Sequence, residues 1–169
     1  MLSRLEPSGW MDGARRFSGS LRGAGHEPGR LLVVGTPQQE PWHLTAHLAD
    51  AARHAGAPEL APVLVRWHVP AGAPPHLAVG IDAVQQARAR STLLVASPCG
   101  ADEDLLERLA DARRRGAVLL AMHDGDEALA GLVHDQLGTP HELGIGFEAV
   151  THVVATPDLA RGRRRWPRG

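Results

Sequence analysis

The chain has 169 residues, which is enough for one domain with a buried core. Its formal net charge of −1 does not argue for nucleic-acid binding over its whole surface, because duplex binding needs a concentrated basic face. No apolar stretch is long enough to cross a membrane. The single cysteine, Cys99, excludes an intrachain disulfide and a cysteine-based zinc site. The first residues lack the apolar core of a secretory signal. We therefore expect a cytoplasmic protein with neither a nucleic-acid nor a membrane partner.

Composition divides the chain into three parts. Residues 1–29 are rich in Gly, Ser, Arg and Pro and predict a flexible N-terminal arm with one helical turn around Met11–Phe17. The alternative is an arm that lies on a partner subunit through Trp10 and Phe17. Residues 30–157 predict an α/β domain. Residues 158–169 predict a basic, disordered tail, which we interpret as solvated rather than as a contact for nucleic acid or an acidic partner.

Within residues 30–157, short apolar runs alternate with segments of helical periodicity. The runs predict five strands, at residues 31–34, 62–69, 92–96, 117–122 and 136–140. Helices are predicted between them, at about 41–55, 77–88, 102–115 and 126–133. Past Pro140, the spacing of Phe147, Val150 and Val154 favours a helix, although a strand over residues 151–156 is the alternative.

Strands that alternate with helices predict right-handed crossovers and a parallel sheet. We expect a three-layer, doubly wound α/β fold with five parallel strands in the order 2-1-3-4-5. In that order the first and third strands are neighbours, and the loops that follow them, Gly35–Glu40 and Ser97–Glu103, meet in a crevice at the carboxyl edge of the sheet. Ligands of such folds bind at this position.

With these loops placed, residues 30–140 resemble the sugar isomerase (SIS) domain, a phosphosugar-binding module of aldose–ketose isomerases and some transcription regulators. The turn Gly35-Thr36-Pro37-Gln38-Gln39 corresponds to the family's glycine-containing first turn. Ser97-Pro98-Cys99-Gly100-Ala101-Asp102 corresponds to its Ser-x-Ser-Gly-x-Thr phosphate loop. The segment Leu129–Pro140 is similar to the helix that leads into the family's last strand.

Two substitutions change what this resemblance implies. Cys99 replaces the second serine of the loop, and Asp102 replaces its threonine. A thiol is a poor hydrogen-bond donor to phosphate, and a carboxylate at the first helical turn repels it. We expect a ligand-binding site formed by residues from both loops, with no catalytic residue and no cofactor: Gly35, Thr36, Gln38, Gln39, Ser97, Cys99, Gly100 and Asp102.

Three functions remain open at this point. We favour a non-catalytic SIS-like domain that binds a small carbohydrate derivative or a protein partner. The alternatives are a sugar-phosphate isomerase or lyase with Glu103 or a histidine as general base, and a scaffold without a ligand. Because SIS domains usually pair, the resemblance implies a homodimer.

Other chemically active side chains are interpreted more simply. His43, His47, Asp50 and His54 form one stripe on the first predicted helix of the α/β domain, and His43 and His47 are weak candidates for a metal site that we do not favour. Cys99 is interpreted as a turn residue rather than a nucleophile. His123–Glu127 is interpreted as a turn followed by an acidic helix start, and Arg66-Trp67-His68 as part of an edge strand.

Overall fold

A computed structural model describes residues 9–24, 31–139 and 146–155. Its sheet has five parallel strands in the order β2-β1-β3-β4-β5, which confirms the predicted fold class. The strands are β1 (Leu31–Val34), β2 (Pro62–Val65), β3 (Thr92–Ser97), β4 (Val118–His123) and β5 (Asp135–Gly138). The helices are α1 (Trp10–Ala24), α2 (Trp42–Ala55), α3 (Asp82–Gln86), α4 (Glu103–Arg114), α5 (Glu127–Leu132) and α6 (Phe147–Ala155). Two 3₁₀ turns occupy Pro58–Leu60 and Pro75–Leu77.

The sheet is covered on both faces, which explains why its central strands are continuously apolar. On one face, Phe17 of α1, Leu44 of α2 and Val150 of α6 belong to a core that includes Leu94 and Met122 of the sheet. On the other face, α3, α4 and α5 pack through buried side chains against the sheet, and these side chains are Val84, Leu105, Leu109, Ala112 and Leu129. The fold therefore has three layers, with the sheet between two layers of helices.

The structure differs from the expected irregular arm between Trp10 and Ala24, where it has a helix of 15 residues. Phe17 is fully buried, and the indole N–H of Trp10 donates to the carbonyl of Gly138 at 2.8 Å. Glycines weaken a helix by about 1 kcal/mol each, but burial of this apolar face against the sheet outweighs that cost. Residues 1–8 and 156–169, which include the expected basic tail, lie outside the described residues.

Two further boundaries differ from the prediction. Strand β2 ends at Val65, because the backbone of Arg66 donates to Val79 at 2.9 Å and that of Trp67 donates to the side chain of Glu40. The helix expected over residues 77–88 is a 3₁₀ turn followed by the short α3. The expected helix at residues 147–154 is confirmed as α6. Among the described residues, none of the helices is both long and apolar enough to cross a lipid bilayer.

Candidate functional site

The loop after β1 folds back on itself. The N–H of Gln39 donates to the carbonyl of Thr36 at 3.1 Å, which closes a tight turn. A Cβ atom at position 35 would lie 2.1 Å from the carbonyl oxygen of Gln39, so only glycine allows the returning chain to pack this closely. The turn directs Gln39 and Glu40 along the carboxyl edge of the sheet, just before α2 begins.

Glu40 organises this edge through its carboxylate. One oxygen accepts hydrogen bonds from Arg66 Nε at 3.2 Å and from the Trp42 indole N–H at 3.0 Å. The other oxygen accepts from the backbone N–H of Trp67 at 3.2 Å. The Glu40 and Arg66 side chains are 17% and 16% exposed, so this ion pair is largely shielded from water. We call these four residues, Glu40, Trp42, Arg66 and Trp67, the Glu40 cluster.

The Glu40 cluster also fixes two indole rings. The guanidinium of Arg66 lies over the Trp42 ring, 4.9 Å from its centroid, in a cation–π contact. The Trp67 indole N–H donates to the carbonyl of Gly35 at 2.9 Å. We interpreted Arg66 and Trp67 from the sequence as part of an edge strand. In the structure they belong to a polar network with the loop after β1. The sequence contained a signal for this contact, because Glu40 follows β1 and Arg66 follows β2, and these two strands are parallel neighbours in the sheet.

Two backbone N–H groups after β3, those of Ala101 and Leu105, donate to carboxylates of this chain. Asp102 is the N-cap of α4 and accepts a hydrogen bond from the Leu105 N–H at 2.9 Å. Asp126 accepts from the Ala101 N–H at 2.7 Å through one oxygen and caps α5 through the other, at 2.9 Å from the Leu129 N–H. Backbone N–H groups at a helix start are the groups that hold a phosphate in other proteins. Here Asp102 and Asp126 occupy two such groups, the N–H of Leu105 and the N–H of Ala101.

His123 at the end of β4 completes this arrangement. Its Nδ1 accepts a hydrogen bond from the Asp126 N–H at 3.0 Å, so the ring proton lies on Nε2, which donates to Gln136 Oε1 at 2.8 Å. The ring is 7% exposed. The interpretation of residues 123–127 as a turn and a helix start is confirmed, because Asp126 is the N-cap of α5.

A pocket opens at the carboxyl edge between the first turns of α2 and α6. It has a volume of about 180 Å³. Ala96 at the end of β3 and Pro98 just after it line the pocket on the side of the sheet. The other lining groups are polar or aromatic and come from α2, from α6 and from the loop after β1: Gln39, Glu40, Trp42, His43, Phe147, Glu148 and Thr151. Trp42 is 41% exposed, and it is the one large apolar side chain that is exposed within the described residues.

The structure distributes the eight predicted site residues unevenly. Within the part of the chain that it describes, Gln39 is the member of that set that lines the pocket, although Pro98 brings the second loop to it. Thr36 and Ser97 are buried, Gln38 and Cys99 are exposed, and the carbonyl of Gly35 is occupied by Trp67. Gly100 adopts a φ of +89°, and Asp102 is engaged in capping α4.

Ser97 lies on the opposite side of β3 from the pocket. Ala96 faces the layer of α1, α2 and α6, and alternation along the strand turns Ser97 toward α4. Its hydroxyl is buried without a hydrogen-bond partner in the described structure. The sequence motif therefore placed Ser97 in the correct loop, while strand alternation carries its side chain away from the pocket.

The histidine stripe of α2 meets α6. His43 Nδ1 lies 3.4 Å from a carboxylate oxygen of Glu148, and the ring of His47 lies 4.1 Å from that of His152, centroid to centroid. The rings of His43 and His47 are 6.4 Å apart. Among the described residues, no three His, Cys, Asp or Glu side chains are arranged to hold a metal ion.

No protein-family model matches the chain. It is 43% identical over 58 residues to the precorrin-4 C(11)-methyltransferase of Pseudomonas aeruginosa. The matched segment covers 34% of this chain and 23% of that enzyme. A match this short shows neither a shared family nor a shared activity.

Solved structures share the fold. Three proteins described as candidate phosphosugar isomerases superpose on this chain. The one from Silicibacter pomeroyi has a TM-score of 0.59 and 19% identity, and the match covers 94% of this chain and 45% of that one. The proteins from Salmonella typhimurium and Bacillus subtilis have TM-scores of 0.55 and 0.51 and identities of 16% and 12%, with matches that cover 88% and 91% of this chain and 43% and 46% of theirs. This chain therefore spans less than half the length of each. At these identities the comparison shows a common fold with these three proteins.

Proposed function

We propose that this chain is a non-catalytic domain of the sugar isomerase (SIS) type whose pocket binds a small, uncharged carbohydrate derivative. The observation that carries the proposal is the occupation of the backbone amides after β3 by Asp102 and Asp126. A sugar phosphate that used this loop would have to displace both carboxylates and would meet their negative charge. A ligand without phosphate meets neither obstacle.

The charges around the pocket nearly cancel. The starts of α2 and α6 each contribute about half a positive charge through the helix dipole. Glu148 lies in the first turn of α6, and the negative charge of Glu40 just before α2 is matched by Arg66. An environment with little net charge favours an uncharged ligand over an anion or a cation.

The size and the lining of the pocket fit one sugar unit. A cavity of about 150 Å³ holds a benzene ring, so a volume of about 180 Å³ has room for a single six-membered ring. The side chains of Gln39, His43 and Glu148 offer donors and acceptors to hydroxyl groups. Glu40 already accepts three hydrogen bonds among the described residues, so it is poorly placed to move a proton during catalysis.

A homodimer and a cytoplasmic location remain part of this proposal. Because SIS domains usually pair, the resemblance to that family supports a homodimer. An exposed, unpaired Cys99 is compatible with a reducing compartment. Sedimentation equilibrium at micromolar concentration tests the dimer, and a monomer mass contradicts it.

Isothermal titration calorimetry tests the binding proposal with glucose, N-acetylglucosamine, glucose 6-phosphate and inorganic phosphate. We expect an uncharged sugar to bind, glucose 6-phosphate to bind at least tenfold more weakly, and phosphate alone not to bind. The ¹H NMR spectrum of a sugar phosphate incubated with the protein should show no aldose–ketose conversion. Binding restricted to the phosphorylated sugar, or such conversion, would contradict the proposal.

Two variants of α2 provide a matched pair. His43 lines the pocket, and His54 lies on the same exposed stripe outside it. We expect His43→Ala to weaken sugar binding and His54→Ala to leave it unchanged, with equal thermal stability in both. Equal binding by the two variants would place the ligand elsewhere.

A further inference from the structure

Arg66 covers one face of the Trp42 ring, and Trp42 is also one of the residues that line the pocket. Arg66 lies over the ring at 4.9 Å and is 16% exposed. Trp42 lines the pocket, whereas Arg66 is absent from the described lining. With Arg66 over one face and 41% of Trp42 exposed, the other face of the indole is the surface that a ligand in the pocket can contact.

The orientation of this ring is fixed at two points. Glu40 accepts the indole N–H at 3.0 Å, and the same carboxylate oxygen accepts Arg66 Nε at 3.2 Å. Because Glu40 and Arg66 are largely shielded from water, these contacts restrict the rotation of an otherwise exposed side chain. A binding group that is already ordered loses less conformational entropy when its ligand arrives.

A flat aromatic face at a small pocket selects the shape of its ligand. The π face carries partial negative charge and attracts the weakly positive C–H groups on the apolar face of a pyranose ring. An open-chain polyol also offers hydroxyl groups for hydrogen bonds, but it has no rigid C–H face. Resting on the proposed function, we infer that the pocket binds a carbohydrate in its closed pyranose form by stacking on Trp42, with Glu40 as the positioning residue for that ring.

This inference also bears on catalysis. An aldose–ketose isomerisation requires an open-chain sugar, since the carbonyl group that moves is absent from the closed ring. A glycoside locked in the ring form cannot open and cannot react. A site that accepts such a glycoside as well as the free sugar therefore needs neither the open chain nor a free anomeric hydroxyl for binding.

Calorimetric titration with methyl β-D-glucopyranoside, glucose and sorbitol tests the inference on the full chain. We expect the glycoside and glucose to bind with similar affinity and sorbitol to bind about 3- to 10-fold more weakly. Sorbitol that binds as well as the glycoside would overturn the inference while leaving the proposed function intact. If none of the three binds, the proposed function itself fails.

Variants of the ring and of its carboxylate partner provide the residue-level test. Trp42→Leu keeps an apolar side chain and should lose the preference for the glycoside, whereas Trp42→Phe should retain most of it. Glu40→Gln should shift the indole N–H resonance of Trp42 and reduce the preference. If Trp42→Leu keeps the full preference in a folded protein, stacking on Trp42 is wrong. If Glu40→Gln leaves the Trp42 resonance unmoved, its positioning role is wrong.

Discussion

Replacement of Asp126 by alanine tests the interpretation that carboxylates of this chain satisfy the loop after β3. One oxygen caps α5 at 2.9 Å from the Leu129 N–H, a contact worth about 1 kcal/mol. The other accepts the Ala101 N–H at 2.7 Å in a partly buried position, where a hydrogen bond to a charged group contributes about 2 kcal/mol. We therefore expect Asp126→Ala to reduce the free energy of unfolding by about 3 kcal/mol. Urea denaturation followed by circular dichroism at 222 nm measures it.

Two companion variants separate the contributions. Asp126→Asn keeps one carbonyl oxygen and can maintain one of the two contacts, so its loss should be about 1–2 kcal/mol. Asp102→Ala removes a single cap, of the Leu105 N–H, and should lose about 1 kcal/mol. The reasoning is refuted if Asp126→Ala costs no more than Asp102→Ala, because the Ala101 contact would then contribute nothing.

Three further predictions concern the core and the two loops. Phe17→Ala should destabilise the protein by about 3–5 kcal/mol in the same assay, because its fully buried ring holds α1 on the sheet; a loss below about 1 kcal/mol would show that α1 packs loosely. Gly35→Ala should weaken sugar binding measured by calorimetry, because a Cβ 2.1 Å from the Gln39 carbonyl forces the loop to move, and unchanged affinity would contradict this. Ser97→Ala should leave both stability and sugar affinity within about 1 kcal/mol of the original, because its buried hydroxyl has no partner among the described residues. A larger loss by either measure would show that the Ser97 hydroxyl makes a stabilising contact.

The strands and their parallel direction were readable from the sequence because they follow from short-range patterns, whereas the order 2-1-3-4-5 was taken as the common one for such folds. Continuous apolar runs such as Leu31–Val34 mark strands covered on both faces, and the helices between them require parallel crossovers. The position of the site at the carboxyl edge then follows from topology. These inferences need only the spacing of apolar residues and the glycines and prolines between them.

Helix α1 could not be predicted with the same rules. Gly13, Gly19 and Gly23 lower its helical propensity, and local composition therefore favoured an irregular arm. The helix is stable because Phe17 is buried and Ser20 donates to a carboxylate oxygen of Asp135 at 2.6 Å. Both are tertiary contacts that no window of sequence reveals.

The composition of the site was missed for a similar reason. Glu40 contacts residues 26 and 27 positions further along the chain, so no short motif contains the Glu40 cluster. The family-like loop after β3 drew attention to Ser97, but the alternation of side chains along the strand turns that hydroxyl away from the pocket. A motif can identify the loop that approaches a site without identifying the side chains that enter it.

We propose that the pocket beside Trp42 binds an uncharged sugar while the N–H groups of Ala101 and Leu105 stay bonded to Asp126 and Asp102. A ¹⁵N–¹H correlation spectrum recorded during titration tests it residue by residue. With glucose, we expect the indole resonance of Trp42 to shift and the amide resonances of Ala101 and Leu105 to stay in place. With glucose 6-phosphate, large shifts of the Ala101 and Leu105 amides without movement of the Trp42 indole would contradict it.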